Sequence, residues 1–126
     1  MRFLLTTKSL DAPMGPPNPK LLEALAKLGE EMTQLGVLVE TGGMALQGPR
    51  ITLEDGEIGV IDGPFAEAKE VIGGFAIVEV RSREEAIAHA RRFLDIHREV
   101  LGKSYRAENE VRRLYGPWDA KQPRHG

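Results

Sequence analysis

Residues 60–80 read VIDGPFAEAKEVIGGFAIVEV, and the last seven, GFAIVEV, decide the fold. They are apolar at nearly every position, the pattern of a central strand covered on both faces. Immediately upstream stands Asp62-Gly63-Pro64-Phe65. Further back, RITLEDGEIGVID (50–62) holds two short runs around Asp55-Gly56. A type I′ hairpin turn prefers that dipeptide, because both of its central residues need positive φ. In the second arm Ile58, Val60 and Asp62 share parity, so the aspartate is expected to leave the strand beside two apolar neighbours that desolvate it.

The rest of the chain supplies two helices and three more strands. Leu21, Leu25, Leu28, Met32 and Leu35 form a helical stripe over 19–35, with Asn18 as N-cap, Pro19 at the first helical position and Gly36 behind the end. Glu23, Lys27 and Glu31 stand at spacings that allow ion pairs along that helix. RFLLTT (2–7) and VLVET (37–41) read as strands, the second ended by a turn at Gly42-Gly43. Ser82 and Glu85 form a capping box that opens a second helix to about Leu101, with Ala86, Ala90, Phe93 and Leu94 on its apolar side and Gly102 behind it. ENEVRRLY (108–115) reads as a polar edge strand. Strand, helix, strand, hairpin, strand, helix, strand fits an α+β ferredoxin-like plan of the dimeric α/β-barrel type, in which both helices cover one sheet face. The uncovered face predicts a homodimer through the open sheet. The domain is expected over 1–115, followed by a C-terminal tail at 116–126.

The 126 residues match one domain, and 41% apolar with 29% charged residues suffice for one core. A net charge of −2 supplies no basic field to hold phosphates, so no nucleic-acid partner is expected. The absence of cysteine removes disulfides and thiolate chemistry and fits a cytoplasmic protein. MRFLLTTKSLD holds too short an apolar run for a signal peptide or membrane span, and no membrane partner is expected. No phosphate-cradling glycine motif, nucleophile elbow or metal-ligand spacing occurs, so neither cofactor nor metal is expected.

Asp62 is the candidate catalytic residue. An aspartate at a strand end usually accepts the N–H two residues on, but that residue is Pro64, which has none. The carboxylate is therefore left either as a structural anchor near a short helix over 64–72, closed by Gly73, or as a proton acceptor. Gly73 and Gly74 are expected to end that helix and start the central strand. Phe65 and Lys69 are candidate ligand contacts, set against the plainer readings of core aromatic and solvated cation. His97 lies near the centre of the second helix's apolar stripe, either as a buried structural histidine or as a titrating ligand contact.

The run D-G-P-F-x-E-x-K-E-x-x-G-G-F, spelled here by Asp62, Gly63, Pro64, Phe65, Glu67, Lys69, Glu70, Gly73, Gly74 and Phe75, resembles the DGPF-domain branch of the YCII-related family. That resemblance implies a dimeric ferredoxin-like fold. It also implies relatives proposed to act through a His-Asp pair, dehalogenase-like relatives acting on muconolactones, and members encoded beside extracytoplasmic-function sigma factors. Asp62 matches the family aspartate. The family histidine has no counterpart between Pro13 and Leu35, so His97 would have to approach from the second helix. Two functions are therefore expected: binding of an unknown small molecule near Asp62, with proton-transfer or lyase/isomerase-like chemistry, or a non-catalytic dimeric regulatory module.

Overall fold

The computed structural model describes residues 1–10, 18–45, 47–63 and 71–117. Its elements are β1 (Arg2–Ser9), α1 (Pro19–Gln34), β2 (Leu38–Gly43), β3 (Arg50–Glu54), β4 (Glu57–Ile61), β5 (Val71–Glu79), α2 (Arg83–Leu101) and β6 (Ala107–Leu114). β1 is hydrogen-bonded antiparallel to β5 on one side and to β6 on the other, and β2 adds outside β5. The resulting order, β2-β5-β1-β6, is that of an α+β ferredoxin-like sheet once the separate β3-β4 ribbon is set aside.

Local chemistry fixes each helix end. The Asn18 side-chain oxygen accepts the N–H groups of Lys20 at 2.9 Å and Leu21 at 3.3 Å, satisfying two donors that the first turn leaves free. At the other end Gly36 has φ +72°, its N–H bonds to the Thr33 carbonyl, and the Val37 N–H bonds to that of Met32. Those paired bonds make a Schellman motif, and Val37 and Met32 both enter the core. Leu35, read from its spacing as part of the stripe, is 73% exposed. It is the cap residue where the chain leaves the helix, and Val37 takes the buried place. In α2, Ser82 Oγ accepts the Glu85 N–H, whereas the Glu85 carboxylate accepts from Arg81 rather than from Ser82 itself. Glu31 reaches across to Arg92 of α2 at 2.7 Å.

Both helices pack on one face of the sheet. Period-two alternation sends Phe3 and Leu5 of β1 and Val78 of β5 toward them, against Leu28, Met32, Ala86 and Ala90. The alanines let α2 lie close to the strands, and Val78 is fully buried at 0% exposure. Leu4 with Ile77, and Thr6 with Phe75, are the intervening pairs and project to the other face, where no helix lies among the described residues.

Gly42-Gly43, read as a turn, and Gly73, read as a helix end, lie inside strands, while Gly74 belongs to the central strand as expected. Gly42 and Gly43 lie inside β2, opposite Phe75 and Gly74. A Cβ on Gly42 would stand 3.3 Å from Phe75 Cε1, so the bare backbone lets the ring lie across it. Gly73 and Gly74 lie inside β5, which already starts at Val71, so the strand takes residues expected to close a helix. Thr7 pairs with Gly74 and Lys8 with Ile72, leaving Gly73 as the extra residue of a bulge whose carbonyl accepts the Met44 N–H. The remainder of the expected short helix, residues 64–70, lies outside the described residues.

Asp55 at φ 51° and Gly56 at φ 76° make the expected hairpin turn between β3 and β4. Among the described residues the ribbon pairs only with itself, and every residue of both strands is exposed. Val78→Ala removes two methyl groups from the largest fully buried side chain among the described residues, and is expected to lower unfolding free energy by about 2–3 kcal/mol. Urea denaturation monitored by circular dichroism measures it.

Candidate functional site

Asp62 follows directly on β4 and is exposed, as is Gly63. Among the described residues it has neither a hydrogen-bond partner nor an ion pair. The expected desolvating neighbours do not desolvate it: Ile58 is 75% and Val60 67% exposed, because the ribbon leaves the main sheet instead of lying on it. Asp62 is therefore a hydrated carboxylate at the base of a projecting hairpin. Phe65 and Lys69 lie outside the described residues.

His97 sits in a different environment. It is 6% exposed, and its Nδ1 lies 2.8 Å from the Phe93 carbonyl one turn earlier. A carbonyl oxygen only accepts, so Nδ1 carries the hydrogen and donates. The imidazole lies 4.5 Å from the Phe93 ring and stacks on Tyr105 at 5.5 Å, with an interplanar angle of 18°. No hydrogen bond, ion pair or ring contact joins it to Asp62 among the described residues. The two titratable groups that the sequence offered for a dyad occupy separate surroundings.

A cleft of about 330 Å³ opens where α2 gives way to β6, lined by Leu94, Asp95, Arg98, Gly102, Lys103, Tyr105 and Ala107. Tyr105 forms part of its wall and also stacks on His97, so the histidine lies behind that wall. Arg98 is paired with Asp95 across one helical turn at an exposed position. The cleft therefore offers Lys103 and the Tyr105 hydroxyl as polar groups. Sequence reading missed it because it lies at an element junction, which carries no spacing signature.

Sequence reading placed β6 as a polar edge strand but passed over the side chains it turns inward. Its register puts Asn109, Val111 and Arg113 on the helix-facing side, opposite Thr7, Leu5 and Phe3. The Arg113 guanidinium carbon lies 5.0 Å from the Tyr115 ring centroid and 5.9 Å from that of Phe3, the range of cation–π attraction. Asn109 donates to the Ala90 carbonyl at 3.4 Å, while its Oδ1 and Arg113 Nε are buried without a partner. The parity that Arg113 shares with Val111 was the available signal.

The fold and the exposed strand-end aspartate define a small α+β domain whose polar chemistry sits beside, rather than inside, its core. The sequence model of the YCII-related domain matches residues 1–93, and the chain belongs to that family. No curated protein matches it. The folded unit continues past the matched stretch, since β6 at Ala107–Leu114 pairs with β1 along its whole length. Among the described residues no helix is long and apolar enough to cross a membrane.

His97→Ala is expected to lower unfolding free energy by about 2–3 kcal/mol through loss of ring contacts and of the bond to Phe93. Lys103→Ala, at the exposed cleft rim, should stay within about 0.5 kcal/mol of the parent. Chemical denaturation of the two variants side by side makes the comparison.

Proposed function

We propose that this chain is a DGPF-branch member of the YCII-related family that works as a homodimer and binds a small molecule at Asp62. The supporting observation is the state of the Asp62 carboxylate: exposed and free of a hydrogen-bond or ion-pair partner among the described residues. The following Gly63-Pro64 cannot supply the usual local N–H, so the carboxylate's acceptor capacity faces outward. A ligand with a donor group, or an acidic C–H next to a carbonyl, matches that capacity.

The chemistry we assign is proton transfer of the lyase/isomerase kind. Asp62 takes a proton from a carbon next to a carbonyl, and the protonated carboxyl returns it to another carbon of the same molecule, so no co-reactant is consumed. Lys69 is the assigned partner for an anionic group on the ligand, and Phe65 its apolar contact. His97 would contribute through Tyr105 and the shape of the domain. The homodimer reading draws support from Leu4, Phe75 and Ile77, which lie on the sheet face away from α1 and α2 and are only partly covered within one chain.

A second reading has its own observation. The β3-β4 ribbon exposes five large apolar side chains, and His97 is occupied internally, which suits a non-catalytic dimeric interaction module of the kind linked to an extracytoplasmic-function sigma factor. Asp62→Asn separates the two. The exposed substitution should move unfolding free energy by no more than about 0.5 kcal/mol. In thermal-shift titration with a muconolactone and related small lactones, at least one should raise the melting temperature of the parent and none that of the variant. An Asp62→Asn variant that mainly loses stability identifies the aspartate as an anchor and favours the interaction module.

A further inference from the structure

The β3-β4 ribbon has the alternation of a sheet that is covered on one face. Ile51 pairs with Val60 and Leu53 with Ile58, so four apolar side chains share one side, whereas Arg50 with Ile61, Thr52 with Gly59 and Glu54 with Glu57 fall on the other, where Ile61 is the one large apolar residue. Yet Ile51 is 71%, Leu53 74%, Ile58 75% and Val60 67% exposed. A lone two-stranded hairpin is at best marginally stable in water, so a ribbon of this pattern needs a cover for its apolar side.

We propose that the ribbon is a clasping arm whose apolar side lies on the open sheet face of a second copy of this chain. The assignment rests on the homodimer reading above and adds the segment that closes it. Area identifies the occupant. Four aliphatic side chains together offer roughly 250–500 Å² of apolar surface. One face of a four-stranded sheet offers roughly 350 Å² at ordinary strand spacing and length. A standard stable interface takes about 800 Å² from each partner, so neither surface suffices alone and the two together approach it.

Position makes the pairing closable. The ribbon grows from the end of the sheet where β2 and β5 meet, at the Gly43–Gly74 pair and the Met44 to Gly73 bond. Phe75, at that same end, belongs to the open face. Two copies related by a two-fold axis can therefore lay each arm on the other's sheet, using both apolar surfaces of both chains and leaving no free patch for further growth.

Sedimentation of the full chain tests this with Ile58→Glu/Val60→Glu on the arm and Ile77→Glu on the sheet face. The parent should sediment as a dimer, and either variant should weaken dimerisation by at least about 100-fold. The arm variant should keep the circular dichroism of the parent's main sheet and helices, because those side chains lie outside the core. A nitroxide attached through Ile58→Cys in this otherwise cysteine-free chain should broaden the Phe75 and Ile77 amide signals of an isotope-labelled partner copy. A monomeric parent overturns both the dimer reading and the arm. A dimer broken by Ile77→Glu but indifferent to the arm variant overturns the arm alone and leaves its apolar side to a different protein. An arm variant that unfolds, or broadening confined to residues 50–61, also overturns the assignment.

Discussion

Everything in this fold hangs on the double pairing of β1. Eight residues at the start of the chain lie between β5 and β6, and their alternate side chains, Phe3 and Leu5, are the floor on which both helices rest. The α-amino group of Met1 extends the pairing by donating to the Val80 carbonyl, and Arg2 pairs with Glu79 at 2.9 Å. β6 is separated from β1 by about the length of the chain, so its loop-closure cost is recovered only when the rest of the sheet is in place. Without β1 the β5 edge would be open and Val78 would lose its neighbour on the buried face.

The same sheet sets where the chemistry-bearing residues stand. Bare backbone at Gly42 admits the Phe75 ring, and the bulge at Gly73 ties the start of β5 to Met44. This is the root of the β3-β4 ribbon, and the ribbon in turn carries Asp62 out into solvent. His97 is held on the helical side, where Phe93 and Tyr105 enclose its ring. A histidine and an aspartate that look equally available in the sequence are thus divided by the layer structure: one contributes to packing and the other stands exposed, with no hydrogen-bond or ion-pair partner among the described residues.

Several elements were legible because their signals are local. Asn18-Pro19 and Gly36 bracket α1, Ser82 and Gly102 bracket α2, and Asp55-Gly56 turns the ribbon, each through bonds or dihedral demands within a few residues. The readings that failed needed information from elsewhere in the chain. Gly42-Gly43 looked like a turn and Gly73 like a helix end, yet all three lie inside strands, and the demand for glycine comes from Phe75 and the bulge. The Glu31 carboxylate was expected to serve Lys27 along its own helix and instead meets Arg92 across the helix pair.

The sequence by itself determined the order and type of the elements, the family motif around Asp62, and the proline that withholds a local donor from that carboxylate. These follow from spacing, capping and backbone chemistry, which act over a few residues. Tertiary structure decided which surfaces are covered: that His97 is enclosed, that Leu35 is not, that Arg113 lies on the helix-facing side against Phe3, and that Ile58 and Val60 are exposed near Asp62. Burial is a property of what lies opposite a residue, and only the assembled sheet brings β1, β5 and β6 together to settle it.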